Sequence, residues 1–266
     1  MAILTISRQH GSTGTEIGRQ IAQELGFEYI DRQRMLKDLK DAGKDWERLV
    51  KDFEEHGPSL WERYDWGFKG FIALLHSMIL KYVLKDKMVI VGRGANFLLK
   101  EVPYVLKVRF EAPIEKRIEY IVERDNIDYH TAKWFIERLD RESAGYVKSV
   151  FHKAWDDPKA YDMVINTSAQ SQGVIINSIK EALADKDRFN TEENRREMSL
   201  WSVAADIRAA LMTNPKIQAP TLQIEPVGGT IILRGLTHNP TEHNIIEDEA
   251  RRIAGTIPVK CELRYR

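Results

Sequence analysis

The opening of the chain limits what the rest can become. Ala2-Ile3-Leu4-Thr5-Ile6 is an apolar, β-prone run that stops at Ser7-Arg8-Gln9-His10-Gly11-Ser12-Thr13-Gly14-Thr15. Ile17, Ile21, Ala22 and Leu25 then recur at helical spacing. Strand, small-residue loop and helix, in that order, make an anion-binding layout. Glycines let the backbone curl round a phosphate, and the unpaired N–H groups at the helix start point at it. A plain strand-to-helix turn has the same layout, and a short Gly-rich run alone does not separate the two. The usual phosphate loop places a lysine after its second glycine, and here Gly14 stands at that position. Thr15 follows with a hydroxyl suited to a magnesium ion. Arg8, at the front of the loop, brings positive charge from another direction.

Further strands follow in alternation with helical patterns. Residues 26–32 read as a short second strand ending on Asp31-Arg32. In an open parallel sheet that end lies on the ligand-binding rim; Asp31 equally suits a helix N-cap. Met88-Val89-Ile90-Val91 is a buried-strand signal, followed by Gly92-Arg93-Gly94. The glycines permit close backbone approach, and Arg93 offers a planar fork of donors. Residues 104–110 and 161–167 read as two more strands. Between the second and third strands, residues 33–85 read as a charged helical insertion. Its aromatic cluster (Trp61, Tyr64, Trp66, Phe68, Phe71) reads as a packing surface, within the chain or against a second copy, with a base-stacking surface as the alternative. Residues 125–155 read as a helical lid in which Arg138, Arg141 and Lys148 are placed to reach a phosphate, although most arginines on charged helices are simply solvated.

The texture changes after residue 188. Residues 189–202 are polar and read as a linker or a helix extension. Residues 203–266 then read as αββαβ: a helical stripe at Val203, Ile207 and Leu211, a hairpin turning at Gly228-Gly229, a helix through Ile246 and Ala250, and a last strand near Val259. No polar constellation there looks catalytic.

The chain has 40 Lys and Arg against 40 Asp and Glu. That balance gives no field favouring nucleic acid or an anionic membrane, so neither is expected as a partner. The single cysteine, Cys261, excludes an internal disulfide, and no Cys/His cluster suggests zinc. The longest consecutive apolar run, near Phe71–Leu75, is too short to span a bilayer. The expected location is cytoplasmic.

Taken together, the opening Ile6-Ser7-Arg8-Gln9 and its loop, Asp31-Arg32, Gly92-Arg93-Gly94-Ala95, Asp157-Pro158 and Tyr161-Asp162-Met163-Val164-Ile165-Asn166-Thr167 resemble the cytidylate kinase-like family of P-loop nucleoside monophosphate kinases. The resemblance covers residues 2–185. Residues 203–266 resemble a BON domain, a small module associated with ligand or surface attachment, by pattern and by Gly235 and Gly255. The expected architecture is α/β: a three-layer α/β/α kinase domain over 1–188 with a parallel five-stranded sheet, then the small αββαβ unit. The resemblance implies ATP and Mg2+ as cofactors and a nucleoside monophosphate, CMP or dCMP, as acceptor. It implies that Gly11, Ser12, Thr13, Gly14 and Thr15 cradle the donor phosphates, with Thr15 toward the metal. Asp31, Arg32 and Arg93 face the acceptor, and Arg8, Arg138 and Arg141 supply catalytic charge. Two cations of the family pattern are replaced, by Thr15 in the loop and by Ser143 in the lid. A nucleotide-binding regulator without turnover, docking a partner through its C-terminal module, is the competing expectation.

Overall fold

The computed structural model describes residues 2–41 and 66–265. The chain divides into two compact units: one runs to Met35 and again from Lys85 to Thr191, the other comprises Leu36–Leu84 and Glu192–Arg266.

The first unit is built on a five-stranded sheet in the order β2-β3-β1-β4-β5. Its strands are β1 (Ile3–Arg8), β2 (Glu28–Ile30), β3 (Met88–Val91), β4 (Val105–Glu111) and β5 (Met163–Asn166). Every pairing is parallel; β1 is central, with Leu4 opposite both Val89 and Leu106. A parallel sheet needs both faces covered. Ala2, Leu4 and Ile6 accordingly share a core with Val89, Val91, Leu106 and Val108. Helix α1 (Gly14–Leu25) covers that core with Ile17 and Ile21. Ile175, Ile179 and Leu183, from a later helix of this unit, complete it. The alternate residues Ile3 and Thr5 are buried as well, so neither face of β1 meets water. The chain moves from β1 outward to β2, returns to β3, and then crosses to β4 on the opposite side of β1. The carboxyl ends of β1, β3 and β4 therefore flank the point where strand order reverses, where ligands of such sheets bind.

Helix α2 (Arg32–Asp41) begins in this first unit. Helix α3 (Trp66–Leu84) belongs to the second unit and precedes β3; the short helix α4 (Ala95–Leu98) follows it. Helices α5 (Ile114–Asp125) and α6 (Tyr129–Phe151) follow β4 and pack together through Ile118, Ile121, Ala132 and Ile136. Asp128 caps α6, accepting from the amides of His130 and Thr131. Helix α7 (Gln172–Asp187) closes the unit.

Residues 189–202, expected as a linker or helix extension, are a short turn followed by the opening of α8 (Glu192–Thr213). In the second unit α8 packs on α3, with Ala209 and Met212 against Ala73. It also lies over a three-stranded sheet, order β6-β7-β8, formed by Gln223–Val227, Thr230–Thr237 and Val259–Tyr265. Helix α9 (Pro240–Ala254) completes the expected αββαβ order. Its start is well specified: Asn239 accepts from the Glu242 amide at 2.9 Å, and buried Glu242 accepts from the amides of His238 and Gln218. Burial alone raises the pKa of Glu242, but these amide donors outweigh it and hold the carboxyl below its usual range.

The insertion differs from expectation in one respect. Helix α3 is long and apolar enough to cross a membrane by length and composition. The longest consecutive apolar run is short here because Gly67, Lys69, Gly70, His76, Ser77 and Lys81 interrupt it. Most of that length is buried, with Phe71 and Leu75 against Leu36 and Leu39 of α2. Of the aromatic cluster, Phe68 and Phe71 are buried, whereas Trp61 and Tyr64 lie outside the described residues.

His76 provides a test of how α3 is packed. Desolvation, reinforced by the Arg208 charge, lowers its pKa to about 4 from an ordinary value of 6.5. The unfolded chain therefore binds a proton between pH 6.5 and about 4 that the folded chain refuses. Stability is complete above this window and falls as pH drops through it, by up to about 3 kcal/mol. Urea melts at pH 7.5 and 4.5 should show that loss, and His76→Leu should remove most of it. An unchanged pH dependence in His76→Leu would refute the account.

Candidate active site

The loop after β1 is held from below by β4. Gln9 N–H donates to the Phe110 carbonyl at 3.0 Å, and the Gln9 side-chain oxygen accepts from Ala112 N–H at 3.1 Å. The Ser12 hydroxyl and amide both donate to the Gln9 carbonyl, and Thr167 donates to the Ser12 carbonyl at 2.8 Å. These bonds fix a tight bend. Gly11 adopts φ +80°, and Thr13, which precedes α1, adopts φ +58°. A left-handed conformation is costly for a β-branched residue and marks a place where the surroundings dictate the backbone. No side chain among the described residues caps α1. Among the described residues, the amides of Gly11, Thr13, Gly14, Thr15 and Glu16 have no protein acceptor. That leaves a run of unclaimed donors at the positive end of a helix, the arrangement that suits a phosphate chain.

The missing lysine has a steric counterpart. A Cβ at Gly14 would stand 2.5 Å from the ring of buried Phe110. Helix α1 approaches β4 too closely there for any side chain. Arg8 partly replaces the charge: its Nε donates to the Thr15 hydroxyl at 3.2 Å, and its Nη1 reaches Gly92. Burial lowers its pKa, and the Tyr29, Glu16, Asp31 and Asp140 side chains oppose that shift.

Beside the loop is a cavity of about 340 Å³ at the ends of β1 and β3. Arg8, Arg32 and Arg93 all line it, so the structure brings three of the expected cations together. Arg93 is also left-handed, at φ +55°, and its carbonyl accepts from Tyr146 of α6 at 3.4 Å. Burial raises the Tyr146 phenol to about 12, so it stays a neutral donor.

Other expected residues are elsewhere. Asp31 caps α2, accepting from Arg34 N–H at 3.0 Å, and lies 3.7 Å from Arg19, so it is the helix cap rather than a wall of the cavity. Arg138 donates to Glu142 at 2.8 Å and lies over the Trp134 ring; Arg141 lies 3.8 Å from Glu137. Both are more than half exposed and do not line the cavity. Helical periodicity explains this: Leu139, Asp140, Glu142, Ser143 and Tyr146 line the cavity, and Arg138 and Arg141 stay on the solvent side, Arg138 held by Glu142 at the rim. Asp140 is the α6 residue that meets the loop. It accepts from His10 N–H at 2.9 Å and from Arg117 Nη1 at 2.6 Å, and Arg117 also donates to the His10 carbonyl. Desolvation, followed by the Arg124 charge, lowers the His10 pKa, so its ring is neutral at physiological pH.

Thr15 is the loop side chain expected at a metal. Its hydroxyl accepts from a cation, Arg8, and both Asp140 oxygens are engaged. Among the described residues no group of three or more acidic, histidine or cysteine side chains could hold a metal ion. The loop amides fit a polyphosphate well, and a metal fits here only as part of that polyphosphate.

Sequence reasoning passed over Phe110, Arg117, Asn96 and Trp155. Asn96 and Trp155 line the cavity, whereas Phe110 and Arg117 lie under the loop. Only Trp155, a lone aromatic just before the Asp156-Asp157-Pro158 turn, carried a local signal.

Comparison with known proteins covers the same region. The model of the cytidylate kinase-like family matches residues 3–169. A cytidylate kinase of Methanocaldococcus jannaschii is 27% identical over 185 residues, covering 68% of this chain and 97% of its own. One from Ignicoccus hospitalis is 26% identical over 190 residues, covering 69% and 99%. A crystal structure of an uncharacterized protein from Eubacterium ventriosum superposes with a TM-score of 0.56 at 18% identity, over 69% of this chain and 99% of that one. That likeness concerns the fold.

The close approach at residue 14 is measurable. Gly14→Ala should lower stability by about 1–3 kcal/mol through overpacking against Phe110, and Gly14→Lys should do the same rather than restore a usual loop. Thr13→Gly relieves the left-handed strain and should gain about 1 kcal/mol. Thermal unfolding of the three variants checks this, and a Gly14→Ala protein as stable as the parent would remove the steric explanation.

Proposed function

The chain belongs to the cytidylate kinase-like family, and from that premise we propose that it transfers a phosphoryl group from ATP to a nucleoside monophosphate, CMP or dCMP. One observation carries the reading: the unclaimed amides of the loop lie beside a cavity lined by three arginines. Phosphoryl transfer needs two anions held end to end and positive charge round the transferred oxygens, with little covalent help from protein. In this reading the N–H groups of Gly11 and residues 13–16 hold the donor phosphates. Arg32 and Arg93 hold the acceptor phosphate, and Arg8, which reaches from Thr15 to Gly92, is placed between the two. The acceptor phosphate oxygen attacks the γ-phosphorus in line, the bond to the bridging oxygen breaks, and the nucleoside diphosphates leave. Magnesium bound with the ATP would supply further positive charge to the donor phosphates, and Thr15 is the loop side chain that would meet it.

A second reading is a nucleotide-binding regulator without turnover, signalling through the C-terminal αββαβ module. It is favoured by the Phe110 ring under Gly14 and by the outward pairing of Arg138 and Arg141.

Purified protein with ATP, Mg2+ and each of CMP, dCMP, UMP, AMP and GMP separates these readings. The kinase reading expects diphosphate product, fastest from CMP or dCMP. It also expects Arg93→Ala to lower kcat/KM about 100-fold or more without loss of folding. Calorimetric ATP binding with no product from any acceptor would support the regulator. A folded protein that binds no nucleotide would end both.

A further inference from the structure

The cavity wall is mixed: besides the carboxylates Asp140 and Glu142 and the aliphatic Val91, Leu139 and Val147, it carries two groups suited to a nucleotide. Arg8, Arg32 and Arg93 are cationic; Asn96 and Trp155 are uncharged and planar. Trp155 is fixed from several directions. Its indole N–H donates to the Ser7 hydroxyl at 2.9 Å. Its carbonyl accepts from Tyr161 at 2.6 Å and from Arg109 at 3.1 Å. The Arg109 guanidinium also lies 4.4 Å from the ring centroid, and Arg109 is itself 1% exposed and bonded to Glu111 at 2.6 Å. A buried guanidinium is costly unless every group round it is well paired. Here that pairing leaves an indole that cannot turn, with its N–H already used. What the ring offers to the cavity is apolar π surface, on which a planar ring stacks.

Asn96, on α4, is 4% exposed, and its NH2 group is buried without an acceptor among the described residues. Buried amides are normally paired. Here no acceptor holds the NH2, and a half-turn about χ2 exchanges NH2 and carbonyl at the cavity wall. Such a side chain can give a donor to one ring edge or an acceptor to another. The cavity, at about 340 Å³, lies near the small end of the range for ligand sites.

We propose that Trp155 and Asn96 form the base-reading end of the acceptor site, Trp155 as a stacking platform and Asn96 as an edge reader that takes cytosine or uracil. The inference rests on the nucleotide-kinase reading above. It adds which residues meet the base, and that UMP is taken as a second, slower acceptor beside CMP. The ring stacks on the indole while the phosphate lies toward the arginines.

Tryptophan fluorescence tests it directly. The chain has six tryptophans, so the Trp155 signal is the difference between the parent and Trp155→Phe. CMP and UMP should both quench that signal; ribose 5-phosphate and inorganic phosphate should not. Trp155→Leu should raise the KM for CMP about tenfold or more, with kcat changed less than threefold. Asn96→Leu should raise KM for CMP and UMP by similar factors, leaving their ratio within threefold of the parent's. Asn96→Gln, which keeps the amide, should recover part of that loss. The inference is overturned if nucleotides bind and react while the quench persists in Trp155→Phe, or if ribose 5-phosphate binds as tightly as CMP. A parent CMP/UMP preference above 100-fold overturns the role given to Asn96. If neither CMP nor UMP binds by calorimetry, this inference falls together with the kinase reading.

Discussion

The contact between Gly14 and the Phe110 ring governs the geometry of the first unit. Helix α1 rests on β4 at a point where no Cβ fits. That close seating directs the free end of the helix at the carboxyl edge of the sheet. It also sets the bend before it: with Gly14 pinned and Gln9 bonded to Phe110, the intervening residues must turn sharply, and Thr13 is driven into the left-handed region. Amides that would otherwise bond within a regular turn are thereby left facing outward. The donor array and the absence of a lysine thus share one cause, because the space a lysine stem requires is the space that lets the helix sit so low.

Charge in the site is arranged round that array without a dominant ion pair. Arg8 is tied to a neutral hydroxyl rather than a carboxylate, so its field remains available to an incoming anion. Arg117 is placed differently: it is buried, bonded to Asp140, and supports the backbone of the loop at His10. Two arginines close to one bend therefore differ in role, one facing the cavity and one bracing the loop from below.

Much of the fold could be read from sequence. The apolar runs at β1 and β3 and the helical stripe of α1 are local signals, and parallel pairing follows from strands alternating with helices. The αββαβ order of the last residues was legible because turn residues separate each element. Of the expected site residues, the loop, Arg32 and Arg93 are the ones whose placement follows from local signals at strand ends. The outward placement of Arg138 and Arg141 was not legible, since a charged helix displays arginines on every face and only packing decides which turn inward. Nor was the placement of Phe110, Asn96 and Trp155 beside the loop and cavity, which depends on distances across the fold. Asp31 shows a tie resolved by geometry: the same carboxylate suits a rim or a cap, and the nearby Arg34 amide takes it as a cap.

The Asp140 carboxylate already occupies one amide of the anion loop, that of His10. In effect the protein carries its own tethered anion. A guest phosphate seeking that amide competes with a resident whose local concentration is set by the rigidity of α6, so part of its intrinsic affinity goes into eviction. A guest held by Gly11 and residues 13–16 alone would leave that resident in place and lie beside it, so the carboxylate sets where along the bend a second negative charge is tolerated.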